Sequence, residues 1–137
     1  MEFSIAASTA GIPAFLAYLS LGVVLVALYM ILYSLITPHN EFGLIKRNNA
    51  AAGIAFAGSL MGFVIPLSSA IANSVSLGDS AVWGVVALIV QILAYFLLRI
   101  PIDNLSHRII QGQIAAGTWL GVGSLAAGVI NAACMTY

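Results

Sequence analysis

Residues 49–72 read NAAAGIAFAGSLMGFVIPLSSAIA, with no charged side chain in the run. A helix needs about 20 mostly apolar residues to cross roughly 30 Å of hydrocarbon, and this stretch meets that length. Arg47 closes it on one side and Asp79 follows it on the other, and working outward the remaining charges divide the chain in the same way. A first span lies between Glu2 and His39, predicted over Ala14–Ile36, with Pro13 and Pro38 standing just outside its ends where proline is tolerated. A third is predicted over Ala81–Leu98, and a fourth between Arg108 and Tyr137. The composition, 62% hydrophobic and 6% charged, is far from the roughly 25% charged content of soluble domains. The predicted fold is therefore all-α: a polytopic membrane protein with four transmembrane helices. The short interruptions make successive helices antiparallel neighbours, and a helical bundle satisfies its backbone groups internally. A water-soluble bundle would need polar stripes that the second and fourth helices lack.

The same counts exclude several functions. Four basic and four acidic residues cancel, so no basic face is available for nucleic acid. Cys134 is the only cysteine, which rules out an intrachain disulfide and a cysteine metal cage. No Lys or Arg precedes Lys46, unlike the basic opening of a signal peptide, so the first apolar stretch is expected to be retained as a helix. No nucleophile–base pair or phosphate-binding glycine loop stands out, and the expectation is a protein that is not an enzyme.

Shifting the sequence by 65 residues pairs Ile45 with Ile110, Ala50 and Ala51 with Ala115 and Ala116, and Gly58, Ser59, Leu60 with Gly123, Ser124, Leu125. A small insertion also pairs Pro38 with Pro101. The chain thus reads as two parallel two-helix repeats, 1–72 and 73–137, within one membrane domain. Lys46 and Arg47 lie between helices one and two, Arg99 and Arg108 bracket the turn between helices three and four, and the loop from Asn73 to Ser80 carries no basic residue. The positive-inside rule puts both basic loops in the cytoplasm and both termini in the periplasm, with Trp83 as an interfacial anchor.

Bulky branched residues fill helices one and three, which suits lipid contact. Helix two instead spaces Gly58 and Gly62 four apart, and helix four spaces Gly117 and Gly121, then Gly123 and Ala127. Small residues at this interval let backbones approach closely, so helices two and four are predicted to form the packed centre, by packing within the protomer or as a homo-oligomer interface.

Gln91 falls near the middle of helix three, and Pro66 removes a donor from helix two, freeing the carbonyl of Gly62. Asn131 is the repeat equivalent of Pro66, and Ser68, Ser69 and Asn73 extend the polar strip. These groups either satisfy one another or line a path for a cation or small polar solute. No ionisable residue lies inside a predicted span, which argues against a proton-coupled pump. Tyr18, Tyr29, Tyr33 and Tyr95 are read as packing or interface residues. In the basic loops, His39 and Glu41 on one side and Asp103, Ser106 and His107 on the other match no compact metal-ligand spacing, so neither metal nor cofactor is expected. Ile102, Leu105 and Ile109 recur at helical spacing and predict a short segment lying on the inner interface.

The runs ITPHNEFGLIK (Ile36–Lys46), FVIPLSSA (Phe63–Ala70), Val75–Asp79, Val90–Gln91 and NAACMTY (Asn131–Tyr137) resemble the YjfL-type bacterial inner-membrane proteins over nearly the whole chain. That family is defined by a paired two-helix domain of unknown function. The resemblance implies the bacterial inner membrane, no established site residues, and neighbours of the phage-shock and polyamine-linked types. The function expected is an oligomeric scaffold or accessory protein in membrane homeostasis or stress response, its Lys46, Arg47, Arg99 and Arg108 docking a peripheral phage-shock-type protein. The alternative is an oligomeric channel or transporter for an ion or small polar solute.

Overall fold

The computed structural model describes residues 4–136, and every regular element among them is an α-helix. In chain order these are α1 (Ile5–Thr9), α2 (Ile12–Ile36), α3 (Glu41–Lys46), α4 (Ala50–Asn73), α5 (Leu77–Leu98), α6 (Leu105–Ile110) and α7 (Ile114–Ala133). Four segments are long and apolar enough to cross a membrane: α1 with α2, α4, α5 and α7. Glu2 and Tyr137, which bounded the outer spans in the sequence, lie outside the described residues.

The helix ends show where charge is a poor boundary marker. α5 begins at Leu77, four residues before the predicted Ala81, because Ser76 caps it. The Ser76 hydroxyl accepts from the Asp79 N–H at 3.1 Å, and the Asp79 carboxylate accepts from the Val75 N–H at 3.0 Å. Asp79 therefore sits in the first turn, where the helix dipole favours an acid, instead of outside the helix. Pro13 likewise lies inside the first turn of α2, where its missing N–H costs nothing. Asn49 caps α4, its side-chain oxygen accepting from the Ala52 N–H at 3.0 Å.

Helices α4 and α7 form the centre. Going along both chains in the same direction, Gly117 meets Ala51, Gly121 meets Ile54 and Gly58, and Ser124 and then Gly128 meet Gly62. The Ser69 hydroxyl closes the series by donating to the Ala132 carbonyl at 3.3 Å. The two helices are thus parallel, and their main chains touch. A methyl group built on Gly58, Gly62, Gly117, Gly121 or Gly128 would overlap backbone atoms of the facing helix. Gly123, grouped with these in the sequence, faces the Leu98 side chain of α5 instead. Pro66 is buried within α4, which continues to Asn73, and the Gly62 carbonyl deprived of a donor lies against Gly128 of α7.

The outer helices divide differently from the sequence expectation. α2 buries only Leu25, Tyr29 and Tyr33, and its remaining apolar surface suits lipid. Aromatic pairs attach it: Tyr29 stacks on Phe63 with ring centroids 4.6 Å apart, and Tyr33 meets the edge of Tyr95 at 5.3 Å. α5 is not simply a lipid-facing helix, because one face buries Gly84, Ala87, Leu88, Gln91, Ala94 and Tyr95. Trp119 fastens its end to α7, its indole N–H donating to the Leu98 carbonyl at 2.8 Å. Trp83 is half-buried and packs against the core.

Candidate functional site

Most of the chain's polar chemistry collects at the end of the bundle that carries the basic residues. Past the end of α2, Thr37, His39 and Glu41 turn inward, and they are 6%, 6% and 2% exposed. The Thr37 hydroxyl bonds the Tyr33 carbonyl at 3.1 Å and also contacts the Glu41 carboxyl. His39 Nδ1 meets the Ser106 hydroxyl from the other basic loop. Its Nε2 is buried without a hydrogen bond and lies 3.6 Å from Glu41 Oε1. Burial pushes the Glu41 carboxyl above the ordinary glutamate range, opposed by the Thr37 contact, and burial pushes His39 below the ordinary histidine value. Both groups are driven toward their neutral forms. A threonine hydroxyl carries one hydrogen, so with that hydrogen on the Tyr33 carbonyl the Glu41 contact is satisfied when the carboxyl is protonated.

Loops 37–49 and 99–113 are joined at two places. Besides His39 and Ser106, the Asn49 amide donates to the Ile109 and Ile110 carbonyls at 3.0 and 3.2 Å. Asn49 does this with one end of its side chain while capping α4 with the other. The predicted short segment appears as α6, which buries Leu105 and Ile109. A matching six-residue helix, α3, precedes α4 and was not expected; Asn40 caps it, accepting from the Gly43 N–H at 3.2 Å. Helices α3 and α6 end alike, at left-handed Asn48 (φ 65°) and Gly112 (φ 79°). Lys46, Arg47, Arg99 and Arg108 are all exposed around this end, with Arg99 5.7 Å from the Tyr95 ring centroid.

Ser106, His39 and Glu41 are ordered as hydroxyl, imidazole and carboxyl. The last contact is longer than a hydrogen bond, and a carboxyl held toward neutrality lends the imidazole no anionic support. The arrangement therefore holds the two loops together and shelters a titratable pair.

At membrane depth Gln91, Asn131, Gly62 and Pro66 are buried, with the Gln91 amide against Gly62 of α4, whereas Ser68 and Asn73 are exposed. The Gln91 amide N–H donates to the Ser124 carbonyl at 2.7 Å, and its own oxygen has no partner. The Asn131 amide reaches the carbonyl of Ala87, one turn before Gln91 in α5, at 3.4 Å. Both amides thus tie α5 to α7, whereas Pro66 lies on α4. Ser59 bonds the Tyr33 hydroxyl at 3.1 Å and the Ser124 hydroxyl at 3.3 Å.

The Domain of Unknown Function family DUF350 matches residues 7–135, nearly the whole chain. The chain belongs to the DUF350 family. It is 50% identical over 124 residues to the UPF0719 inner membrane protein YjfL of Escherichia coli strain K12, covering 90% of this chain and 94% of that protein. It is equally similar to YjfL of strain O157:H7. It is 26% identical over 83 residues to the UPF0719 transmembrane protein YshE of Bacillus subtilis, covering 61% of this chain and 62% of that one. No solved structure matches. With four apolar helices, this DUF350 chain is an inner membrane protein of a family whose function is not established.

Two features of the DUF350 bundle escaped the sequence. His39 and Ser106 are 67 residues apart, so no local spacing joins them. Gly117 and Gly121 were legible as a packing face, but its continuation through Ser124 and Gly128 was obscured by the spacing of Gly123 and Ala127.

Proposed function

We propose that the protein is a non-transporting scaffold of the inner membrane whose basic end faces the cytosol, with both termini periplasmic, and docks a peripheral membrane-stress protein of the phage-shock type. The observation that carries this reading is the joining of the two basic loops: His39 to Ser106 and Asn49 to Ile109 and Ile110 hold together the loops that carry the exposed Lys46, Arg47, Arg99 and Arg108. Backbone contact between α4 and α7 leaves no room for a conduit between them, which weighs against the channel reading within a protomer. In this reading the chain is two parallel repeats, 1–72 and 73–137, and it catalyses no reaction. Self-association, which belongs to the proposal, has to use surfaces other than the α4/α7 glycine stripe, because that stripe is occupied within the protomer.

The test uses full-length protein in liposomes and a purified phage-shock-type coat protein in a flotation assay. Each basic residue near an anionic surface is worth about 1 kcal/mol, so replacing Lys46 and Arg47 together by Gln should weaken retention by roughly thirtyfold. Retention that ignores this change, or an ion leak that Gln91→Leu alters, overturns the proposal.

A further inference from the structure

Beside the His39–Ser106 contact, a cavity of about 540 Å³ opens at the junction of α5 and α6. Arg99, Asp103, Asn104, Ser106 and His107 supply its polar lining. Arg99 and Asp103 carry opposite charge into the same cavity yet form no ion pair with each other or with any other described residue. The chain has only eight charged side chains, and the other acids among the described residues are used elsewhere: Glu41 is buried against Thr37, and Asp79 closes the start of α5. Two unlike charges held apart in one cavity suit a ligand that itself carries both signs.

The surroundings indicate where such a ligand comes from. The cavity stands at the end of α5, a helix long and apolar enough to cross a membrane, so a bilayer crossed by that helix has its surface near this level. Phe96 and Ile100 form part of its wall, and exposed Leu93 and Leu97 continue that apolar surface back along α5. An acyl chain can lie on this strip while its headgroup occupies the cavity.

We propose that this cavity binds the headgroup of phosphatidylethanolamine, with the phosphate on the Arg99 guanidinium and the primary ammonium on the Asp103 carboxylate and the Asn104 side chain. A guanidinium presents several N–H donors to a phosphate, and a primary ammonium has three hydrogens to give to a carboxylate and an amide oxygen. A quaternary choline has none of these hydrogens. An anionic glycerol headgroup places negative charge and neutral hydroxyls near Asp103, which repels it. The site thus selects by both charge and hydrogen bonding, and it does not rest on the docking proposal.

Native mass spectrometry of the full-length protein tests this, using micelles holding equal amounts of phosphatidylethanolamine, phosphatidylcholine and phosphatidylglycerol with identical acyl chains. The wild type should retain the ethanolamine lipid about tenfold over the choline lipid, the usual worth of hydrogen bonds to a charged group. Arg99→Gln should weaken retention of all three lipids, which share the phosphate, and Asp103→Asn, at an exposed position, should remove the preference over the choline lipid and move the glycerol lipid ahead of the ethanolamine one. Equal retention of the three lipids by the wild type overturns the assignment, and so does an unchanged ranking in Asp103→Asn. Soluble glycerophosphoethanolamine at millimolar concentration should fail to displace the lipid; displacement would make the ligand a free headgroup and overturn the lipid assignment.

Discussion

Replacing Gly58 by Ala tests the central packing directly, because the same substitution at Gly53 on the same helix supplies its own control. A methyl group on Gly58 runs into the Cα, carbonyl carbon and carbonyl oxygen of Gly121, whereas one on Gly53 meets nothing within 4 Å. Ala is favoured over Gly in a helix interior by about 0.5–1 kcal/mol, and both variants receive that gain. At Gly53 nothing opposes it, so Gly53→Ala should be neutral to slightly stabilising. At Gly58 the obstacle is main chain, which cannot swing aside as a flexible side chain can, and α4 must move off α7. Overpacking of this kind costs about 1–3 kcal/mol, and here it also separates the neighbouring contacts of Gly62 with Ser124 and of Ala51 with Gly117. The upper part of that range applies, leaving the two variants about 2–3 kcal/mol apart, or roughly 30- to 150-fold in the unfolding equilibrium. Reversible unfolding of the full-length protein in mixed micelles measures the difference. If Gly58→Ala proved as stable as Gly53→Ala, the backbone contact between α4 and α7 would be refuted.

The buried cluster at the basic end yields two further predictions. Burial raises the Glu41 pKa, so the folded state binds its proton more tightly than the unfolded chain does; that stability is present at low pH and lost as pH rises through the raised pKa. Glu41→Gln keeps a donor for the Thr37 oxygen without the charge, so its melting temperature should fall less than that of the wild type between about pH 5 and about pH 8, and parallel curves would refute the burial argument. His39 works in the opposite sense, losing stability as pH falls below its ordinary value, and it does so in both proteins. Ser106→Ala leaves neither His39 ring nitrogen with a partner and should cost about 1–3 kcal/mol, while His39→Leu combined with Ser106→Ala should cost clearly less than the sum of the single changes; additive losses would show that the two side chains do not meet.

Much of the fold is legible because charge is so scarce. Between Arg47 and Asp79, or between Asp79 and Arg99, nothing but a membrane-crossing helix fits an uncharged stretch of that length; α4 lies within the first interval, and α5 fills the second and starts two residues before Asp79. Gly58, Gly62, Gly117 and Gly121 identified the central pair because close approach of two helices leaves a spacing that is readable within each. The site was less legible. α3 is six residues long, too short for helical periodicity to rise above its polar surroundings, and the inward-turned His39 is met by Ser106 of α6 from the other half of the chain. In the sequence both residues looked like ordinary loop polarity, since burial of a loop is a property of what packs on it.

The link from Tyr33 through Ser59 to Ser124 has a directional character. Three hydroxyls are joined by two bonds, and each has a single hydrogen to give, so Ser59 cannot supply both. At least one outer hydroxyl must point inward, and reversing the sense of the row requires more than one O–H to rotate together. A helix held mainly by aromatic faces is thereby coupled to the central pair through the orientation of a few protons, a coupling that replacing Tyr33 by Phe would break.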